Sequence, residues 1–181
     1  MSKKIIVRLS NGLGNQLFMY ANSYALSKRL NYELYIDGIS AYKKLKIRSF
    51  LLDNFNISAK NAITEDIQDN HRKYFLHKID KKFDFFRSKK KFLVEKKDKN
   101  KKTRFYDITK HSFADKLFVE GYFESEKYFA DFKNDILKEF TIKNIDTKSL
   151  FIDPREILDK DSISIVIRKD RFSEKVTNLD S

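Results

Sequence analysis

The chain has 181 residues, of which 41% are hydrophobic, enough for one substantial core, because a domain of about 150 residues hides about 70% of its unfolded surface. It has no cysteine and three scattered histidines, which excludes disulfides and thiolate catalysis and offers no zinc-ligand spacing. The net charge of +12 favours an anionic partner such as a nucleic acid, a sugar nucleotide or an acidic membrane. Neither a bilayer-spanning apolar run of about 20 residues nor a secretory signal is evident, so we expect a cytoplasmic protein.

The first elements in chain order predict a βαβ unit. Residues 3–9 form a short apolar, β-branched run that is typical of a buried strand. Residues 9–16 carry closely spaced glycines and asparagines that demand a tight turn. Apolar residues then recur at helical spacing over residues 16–30, and Glu33–Asp37 predicts the next strand. We expect a right-handed crossover between the two strands.

The middle of the chain is less regular. Residues 49–57 predict a strand or a loop, and Thr64 with Glu65 indicates a helix start. The aromatic-rich residues 81–92 and the lysine run after them predict little order, and we assign no element there.

Regular patterns return near the C-terminus. Residues 116–123 predict a strand and its exit. The next residues predict an amphipathic helix whose apolar positions are spaced by four, at Tyr128, Phe132, Ile136 and Phe140. The only proline, Pro154, marks a linker before an apolar strand at residues 163–167. The order of elements predicts an α/β protein with a second sheet just beginning.

Most of the excess positive charge lies in residues 87–104, which contain ten basic and two acidic residues and so have a net charge of +8. One interpretation is a solvated lysine-rich insertion. Another is a surface held against anionic headgroups, each nearby Lys or Arg contributing about 1 kcal/mol. Interleaved phenylalanines also leave open a basic nucleic-acid or anionic-surface binding protein without catalysis. These phenylalanines are Phe83, Phe85, Phe86 and Phe92.

The strongest local pattern is the loop LSNGLGNQ at residues 9–16, between the first predicted strand and helix. A glycine pair there lets backbone amides approach an anion at the positive end of the helix. Gly12 and Gly14 can also adopt a positive φ at little steric cost. The spacing is neither GxGxxG nor a Walker A motif, so a structural turn is as good an interpretation as a ligand site.

Residues 11–37 begin with the sequence NGLGNQLFMYANSYA. This segment resembles the N-terminal segment of the bacterial α-1,2-fucosyltransferases, glycosyltransferase family 11. Residues 48–57 and 120–140 are similar to two further segments of that family, in the same order. Asn11 replaces the first glycine of the family's GGLGNQ loop, a mild change because asparagine tolerates the left-handed conformation. Four aromatic residues of the last segment either pack in the core or stack on a sugar. They are Tyr122, Phe123, Tyr128 and Phe129.

Residues 165–172, IVIRKDRF, fall where the family has a strand that ends in HxRxGDY. Arg168 matches the arginine thought to bind the phosphates of GDP-fucose and stabilise the departing GDP, a role that suits its fixed fork of donors. The alternative is an ordinary exposed arginine at a strand end. The other motif positions are replaced by Val166, Asp170, Arg171 and Phe172.

The resemblance implies a GT-B-like architecture of two Rossmann-like halves facing a cleft. Residues 1–153 would form the N-terminal, acceptor-side domain, with the lysine-rich insertion near residues 87–104. Residues 154–181 would be a linker and the first strand of an incomplete donor-binding domain, so we expect little transferase activity from the isolated chain.

The implied reaction is an inverting, metal-independent transfer of fucose from GDP-fucose to the 2-hydroxyl of a galactoside, with no further cofactor. It points towards surface polysaccharides such as the O-antigen of lipopolysaccharide, and towards peripheral contact with the inner membrane through the lysine-rich segment. The implied partners are a sugar nucleotide and a galactose-containing glycan, with no specific nucleic acid. No general base is nominated. The implied donor- or acceptor-binding residues are Asn11, Gly12, Gly14, Asn15, Gln16 and Arg168, with Arg168 also stabilising the leaving group.

Overall fold

The structure is a computed structural model in which the first of two compact units ends at Lys143 and the second covers Asn144–Ser181. The described residues are 2–43, 48–95 and 111–144, with the single residues 161 and 163. The predicted strand at residues 163–167 and the predicted domain boundary at residue 153 lie outside these ranges and stay predictions.

A five-stranded sheet forms the centre of the first unit. Its strands are β1 (Lys4–Arg8), β2 (Glu33–Asp37), β3 (Lys60–Asn61), β4 (Lys90–Val94) and β5 (Phe113–Glu120). The spatial order is β3-β2-β1-β5-β4, and every neighbouring pair is parallel. The chain runs outward from β1 to β3, crosses to the far edge at β4 and returns through β5 to the centre. This α/β topology is compatible with a Rossmann-like domain.

The predicted βαβ unit at the start of the chain is confirmed. Helix α1 (Leu13–Leu30) links β1 to the parallel strand β2. The middle of β1 is buried, as expected for a central strand of a parallel sheet, which is covered on both faces. Lys28 and Arg29 lie in the last turn of α1, and Asn31 ends the helix in the left-handed conformation.

The two faces of the sheet bury unequal cores. Alternate residues of β1 point to opposite faces, so Ile5 and Val7 join the large core, which also contains residues of α1 and of α3 (Lys133–Glu139). On the other face lies a small cluster of Ile6, Phe92 and Phe118. The His77 ring of helix α2 (His71–Phe83) packs edge-on against both phenylalanines of this cluster.

The expectation of little order over residues 81–92 is wrong. α2 ends at Phe83, a 3-10 turn covers Asp84–Phe86, and β4 follows. The buried Asp84 carboxylate accepts the backbone N–H of Lys91, while the side chains of Arg87 and Lys91 both pair with Asp80. Two of the charges that indicated disorder, Arg87 and Lys91, are therefore compensated locally, and β4 pairs with β5.

Two predicted helices have different bounds in the structure. The helix expected after Thr64 begins only at His71, where the Asn70 side chain accepts a hydrogen bond from the Lys73 N–H. The helix expected after residue 123 is split into two 3-10 turns and the short α3. Phe129, which lies between the two turns, has a non-helical backbone with φ −141° and ψ 12°, and Arg29 donates a 2.7 Å hydrogen bond to the preceding Tyr128 carbonyl. At residues 49–57, the alternatives of strand or loop resolve into a 3-10 turn, Leu52–Asn54, with irregular flanks.

Candidate functional site

Strands β1 and β5 are neighbours in the sheet. From β1 the chain continues to β2 on one side, whereas β5 is preceded by β4 on the other side, so the strand order reverses between β1 and β5. In open α/β sheets, ligands bind beyond the carboxyl ends of the strands at such a point. Two cavities of about 210 and 220 Å³ lie there and share Arg8. We call them together the carboxyl-edge crevice. Its polar lining includes Arg8, Ser10, Ser40, Gln68, Asn70, Glu95, Glu120 and Tyr122.

Arg8, the last residue of β1, is the shared wall of the crevice. The side chain is half-buried and donates one long hydrogen bond of 3.3 Å, from Nη1 to the Gln68 Oε1. Within the described ranges, no carboxylate forms an ion pair with it. A guanidinium has five donors in a fixed plane, so Arg8 keeps donors for a polar or anionic ligand.

Glu120, the last residue of β5, forms a charged cluster beside Arg8. Its two carboxylate oxygens each lie 2.6 Å from a partner, His77 Nε2 and Lys81 Nζ. Burial alone raises the pKa of Glu120, but these hydrogen bonds and the charges of Arg8 and Lys81 outweigh it and lower the pKa to about 2. Glu120 is therefore a fixed anion. A general base works best with a pKa near the operating pH, so Glu120 suits orientation of His77 and Lys81 better than proton transfer.

Asn11 connects the loop after β1 to the exit of β5. It adopts a left-handed conformation with φ 64°, the geometry that asparagine tolerates. Its Nδ2 lies 2.5 Å from the Tyr122 hydroxyl, and its carbonyl accepts a hydrogen bond from the Tyr42 hydroxyl. Burial raises the pKa of Tyr42 to about 12, against the nearby charge of Arg48, so this donor stays protonated.

The Gln16 side chain fixes the same loop through hydrogen bonds to backbone groups. Its side chain is fully buried and donates 2.9 Å hydrogen bonds to the carbonyls of Asn11 and Ser49, while its oxygen accepts the Leu51 N–H. The structure thus gives Gln16 a positioning role. A direct contact between Gln16 and a ligand stays a prediction.

The two glycines of the loop do not use the positive φ that their sequence context suggested. Gly12 caps α1 with φ −78°, and Gly14 lies in the first helical turn. A Cβ on Gly12 would lie 2.9 Å from the Arg48 Nη1, whereas one on Gly14 would meet nothing within 4 Å. A side chain at Gly12 would therefore displace the end of the flexible Arg48 side chain from this position. Asn15 is half-buried in the same turn.

The start of α1 is electropositive. No side chain caps its first amides, and no acidic residue lies in its first turn. Unpaired N–H groups at a helix start carry partial positive charge, and the Arg48 guanidinium adds a full one beside Gly12. This is the environment that the anion-binding interpretation of the loop requires.

A turn held by Glu95 positions Tyr122 in the crevice. The Glu95 carboxylate accepts the backbone N–H groups of Tyr122 and Phe123 at 2.8 and 2.9 Å. Gly121 has φ 147°, and a Cβ there would lie 2.3 Å from the Glu95 Cβ, so only glycine fits. Of the aromatic residues expected either to pack in the core or to stack on a sugar, Phe123 and Tyr128 are buried in the core. Tyr122 instead lines the crevice.

Sequence patterns did not single out Arg8, Glu95 or Glu120. A signal was available, since Arg8 and Glu120 are the polar residues that directly end two apolar strands. Arg168, the predicted phosphate-binding residue, lies outside the described ranges.

The lysine-rich segment is described only up to residue 95. There, the side chains of Arg87 and Lys91 are engaged with Asp80, which leaves less free charge for a nucleic acid than the sequence suggested. In the described ranges, no three His, Asp or Glu side chains gather as they would at a metal site. The helices that the structure describes are too short or too polar to span a bilayer.

Comparison with curated proteins shows similarity to a glycosyltransferase. No family model and no solved structure matches the chain. It is 27% identical over 180 residues, 97% of its length, to an α-1,2-colitosyltransferase of Escherichia coli. The chain spans 57% of that relative's length. The chain is thus similar, almost from end to end, to part of a curated glycosyltransferase.

Proposed function

We propose that this chain is the acceptor-side part of a glycosyltransferase that moves a 6-deoxyhexose from a GDP-sugar to the 2-hydroxyl of a galactose-containing glycan. The observation that carries the proposal is the similarity to an α-1,2-colitosyltransferase over 97% of the chain. The resemblance of its glycine loop to α-1,2-fucosyltransferases supports the same linkage. The proposal includes an inverting mechanism, a GT-B arrangement and a role in surface polysaccharide synthesis.

Two donors fit this proposal. The family resemblance favours fucose, and the relative acts with colitose, which is fucose without its 3-hydroxyl. A site that donates a hydrogen bond to that hydroxyl discriminates strongly against the deoxy sugar, because its own polar group is left unpaired. Fucose is the first candidate, and binding of GDP-fucose measured beside GDP-colitose decides between them.

The crevice supports the acceptor side of the proposal. Its two cavities together fall within the range of about 300–1,000 Å³ typical of ligand pockets, and hydroxyl-rich sugars need the polar groups that line it. Arg8, which lines both cavities, can donate hydrogen bonds to a bound sugar. The amides at the start of α1, with Arg48, would stabilise the charge that develops on a departing diphosphate. This arrangement requires no divalent metal.

Arg8→Met provides the direct test, because methionine keeps an apolar stem but removes the donors. Isothermal titration of the full chain with a β-galactoside should show saturable binding that this substitution weakens by about tenfold, since hydrogen bonds from charged groups contribute about 1.5–3 kcal/mol. The matched control is Arg72→Met, an exposed arginine on α2 without an ion pair to another described residue. It should bind as the wild type does.

A wild-type chain that binds neither a galactoside nor a GDP-sugar would contradict the proposal. So would an Arg8→Met variant with unchanged galactoside affinity. The donor side is tested separately by Arg168→Ala, which should weaken binding of GDP and GDP-sugar but leave galactoside binding unchanged.

A further inference from the structure

Helix α2 turns polar side chains towards the sheet and leaves its apolar side chains exposed, the opposite of a usual surface helix. None of its residues is buried. His77 and Lys81 point inward to Glu120, and Asp80 points to Arg87 and Lys91 of the following segment. A surface helix normally turns its apolar stripe to the core. The apolar side chains of α2 are therefore left exposed, and Leu76, Ile79 and Phe83 line a cavity of about 560 Å³ beside the sheet.

The apolar residues of α2 form an exposed stripe. Phe75, Ile79 and Phe83 are spaced by four, so they follow one another along one side of the helix, and they are 61%, 39% and 56% exposed. The 3-10 turn after α2 continues the stripe with Phe85 and Phe86, which are 83% and 80% exposed. Neighbouring rings of Phe83, Phe85 and Phe86 lie 5.6 to 6.5 Å apart. We call these three residues the aromatic tip.

The aromatic tip is held in place by specific contacts. Lys90 Nζ donates hydrogen bonds of 3.0 to 3.1 Å to the carbonyls of Asp84, Phe85 and Arg87, which close the turn. The same ammonium lies 5.8 Å from the centre of the Phe85 ring. The buried Asp84 carboxylate fixes the start of β4 by accepting the N–H of Lys91. These contacts hold the rings exposed on an ordered turn. Burial of this apolar surface against a partner would be favourable.

Three exposed lysines beside the stripe carry free positive charge. Lys78 and Lys82 are exposed and lie three residues after Phe75 and Ile79, which makes them neighbours of the stripe on the helix surface. Lys89 is exposed beside the tip. None of these lysines forms an ion pair with a described residue. The two acidic residues within α2 and the turn after it, Asp80 and Asp84, form ion pairs with Arg87 and Lys91, and Glu65 and Asp66 line the cavity beside Ile79 and Phe83.

We propose that the stripe of α2 and the aromatic tip form a docking surface for an anionic membrane. The rings and Ile79 would enter the interface between headgroups and acyl chains, while Lys78, Lys82 and Lys89 extend to the lipid phosphates. This places membrane contact on the aromatic tip and α2, not on the lysine run that the sequence emphasised. The inference is independent of the proposed glycosyl transfer.

Charge and side-chain type select this partner over two others. A second copy of the chain would bring two sets of unpaired lysines together, which is unfavourable. Single-stranded nucleic acid stacks its bases on aromatic faces, but the middle of the stripe is the aliphatic Ile79, flanked by exposed Leu76. A hydrocarbon interface accepts aliphatic and aromatic side chains alike.

Vesicle flotation of the full chain tests the proposal. Vesicles of phosphatidylcholine and phosphatidylglycerol in equal parts should carry the protein, and vesicles of phosphatidylcholine alone should carry much less. The double substitution Phe85→Ser and Phe86→Ser should lower partitioning by about tenfold or more, because it removes the most exposed rings. Lys78→Gln and Lys82→Gln should each lower it about fivefold, and added salt should weaken the wild type.

The matched control is Leu137→Ser, which removes another apolar side chain that is 59% exposed, on α3. It should float as the wild type does. Circular dichroism checks that each variant keeps the sheet. Failure of the folded wild type to bind anionic vesicles would overturn the proposal, as would equal binding to neutral vesicles. A double variant that only abolishes self-association or RNA binding would also overturn it, and would assign the surface to that other partner.

Discussion

At the scale of single residues, Glu120 shows how the fold creates a charged site from an ordinary strand end. Its carboxylate is largely buried, and that desolvation is compensated by His77, Lys81 and Arg8. The three partners come from α2 and β1, so they meet only in the folded chain. Glu120 therefore fixes His77 and Lys81 against the end of β5 and attracts the Arg8 charge, and it stays ionised near neutral pH.

The lowered pKa of Glu120 predicts a specific acid sensitivity. The pKa falls from 4.5 to about 2 on folding, so the ionised carboxylate stabilises the fold fully above pH 4.5, and this contribution is lost as the pH falls towards 2. It corresponds to about 3 kcal/mol. Glu120→Gln cannot titrate. The difference in unfolding free energy between wild type and variant, from urea denaturation, should therefore shrink as the pH falls through this window. A difference that stays constant would contradict the assignment.

At the scale of elements, the turn after β5 and the start of α1 each contain a glycine, and the two glycines have different roles. Gly121 lies in the turn with a positive φ and against Glu95. Gly14 lies in the first turn of α1 with open space around its Cα. The two glycines allow a matched comparison of a required glycine with a replaceable one.

Gly121→Ala should destabilise the fold by about 3 kcal/mol or more, because the new methyl collides with Glu95 in a conformation that alanine avoids. Gly14→Ala should instead stabilise the fold by about 0.5–1 kcal/mol, since alanine favours the helix. Urea denaturation measures both. If Gly121→Ala unfolds like the wild type, the turn is not held as the structure indicates. A Gly14→Ala variant that is more stable but binds ligand less well would show that a ligand approaches this backbone.

The local elements of the N-terminal βαβ unit were predictable because hydrophobic periodicity and turn residues act over a few residues. β4 was not predictable in this way. Lys91 of β4 pairs with Asp80, which lies on the preceding helix, and the strand's hydrogen bonds go to β5. The same holds for the site. The glycine loop is visible in the sequence, but the Asn11 contact with Tyr122 joins residues 111 positions apart, and the sequence alone does not show such pairings.

At the scale of the whole first unit, the sheet separates three surfaces. One face carries the large core under α1 and α3. The other face carries α2, which is attached by ion pairs and leaves its apolar stripe exposed. Between them, the carboxyl edge of β1 and β5 forms the crevice that we assign to the glycan acceptor. A membrane-docking face next to an acceptor site would suit a glycan that is attached to a lipid.

The central claim is that the carboxyl-edge crevice binds a galactose-containing acceptor. An NMR titration of the isotope-labelled chain with a β-galactoside tests this most directly. We predict saturable shifts for the backbone amides of Arg8, Asn11, Gly121 and Tyr122, which lie around the crevice, and none for Phe85 and Phe86 of the aromatic tip. Shifts confined to other surfaces, or no shifts in a spectrum of a folded chain, would contradict the account.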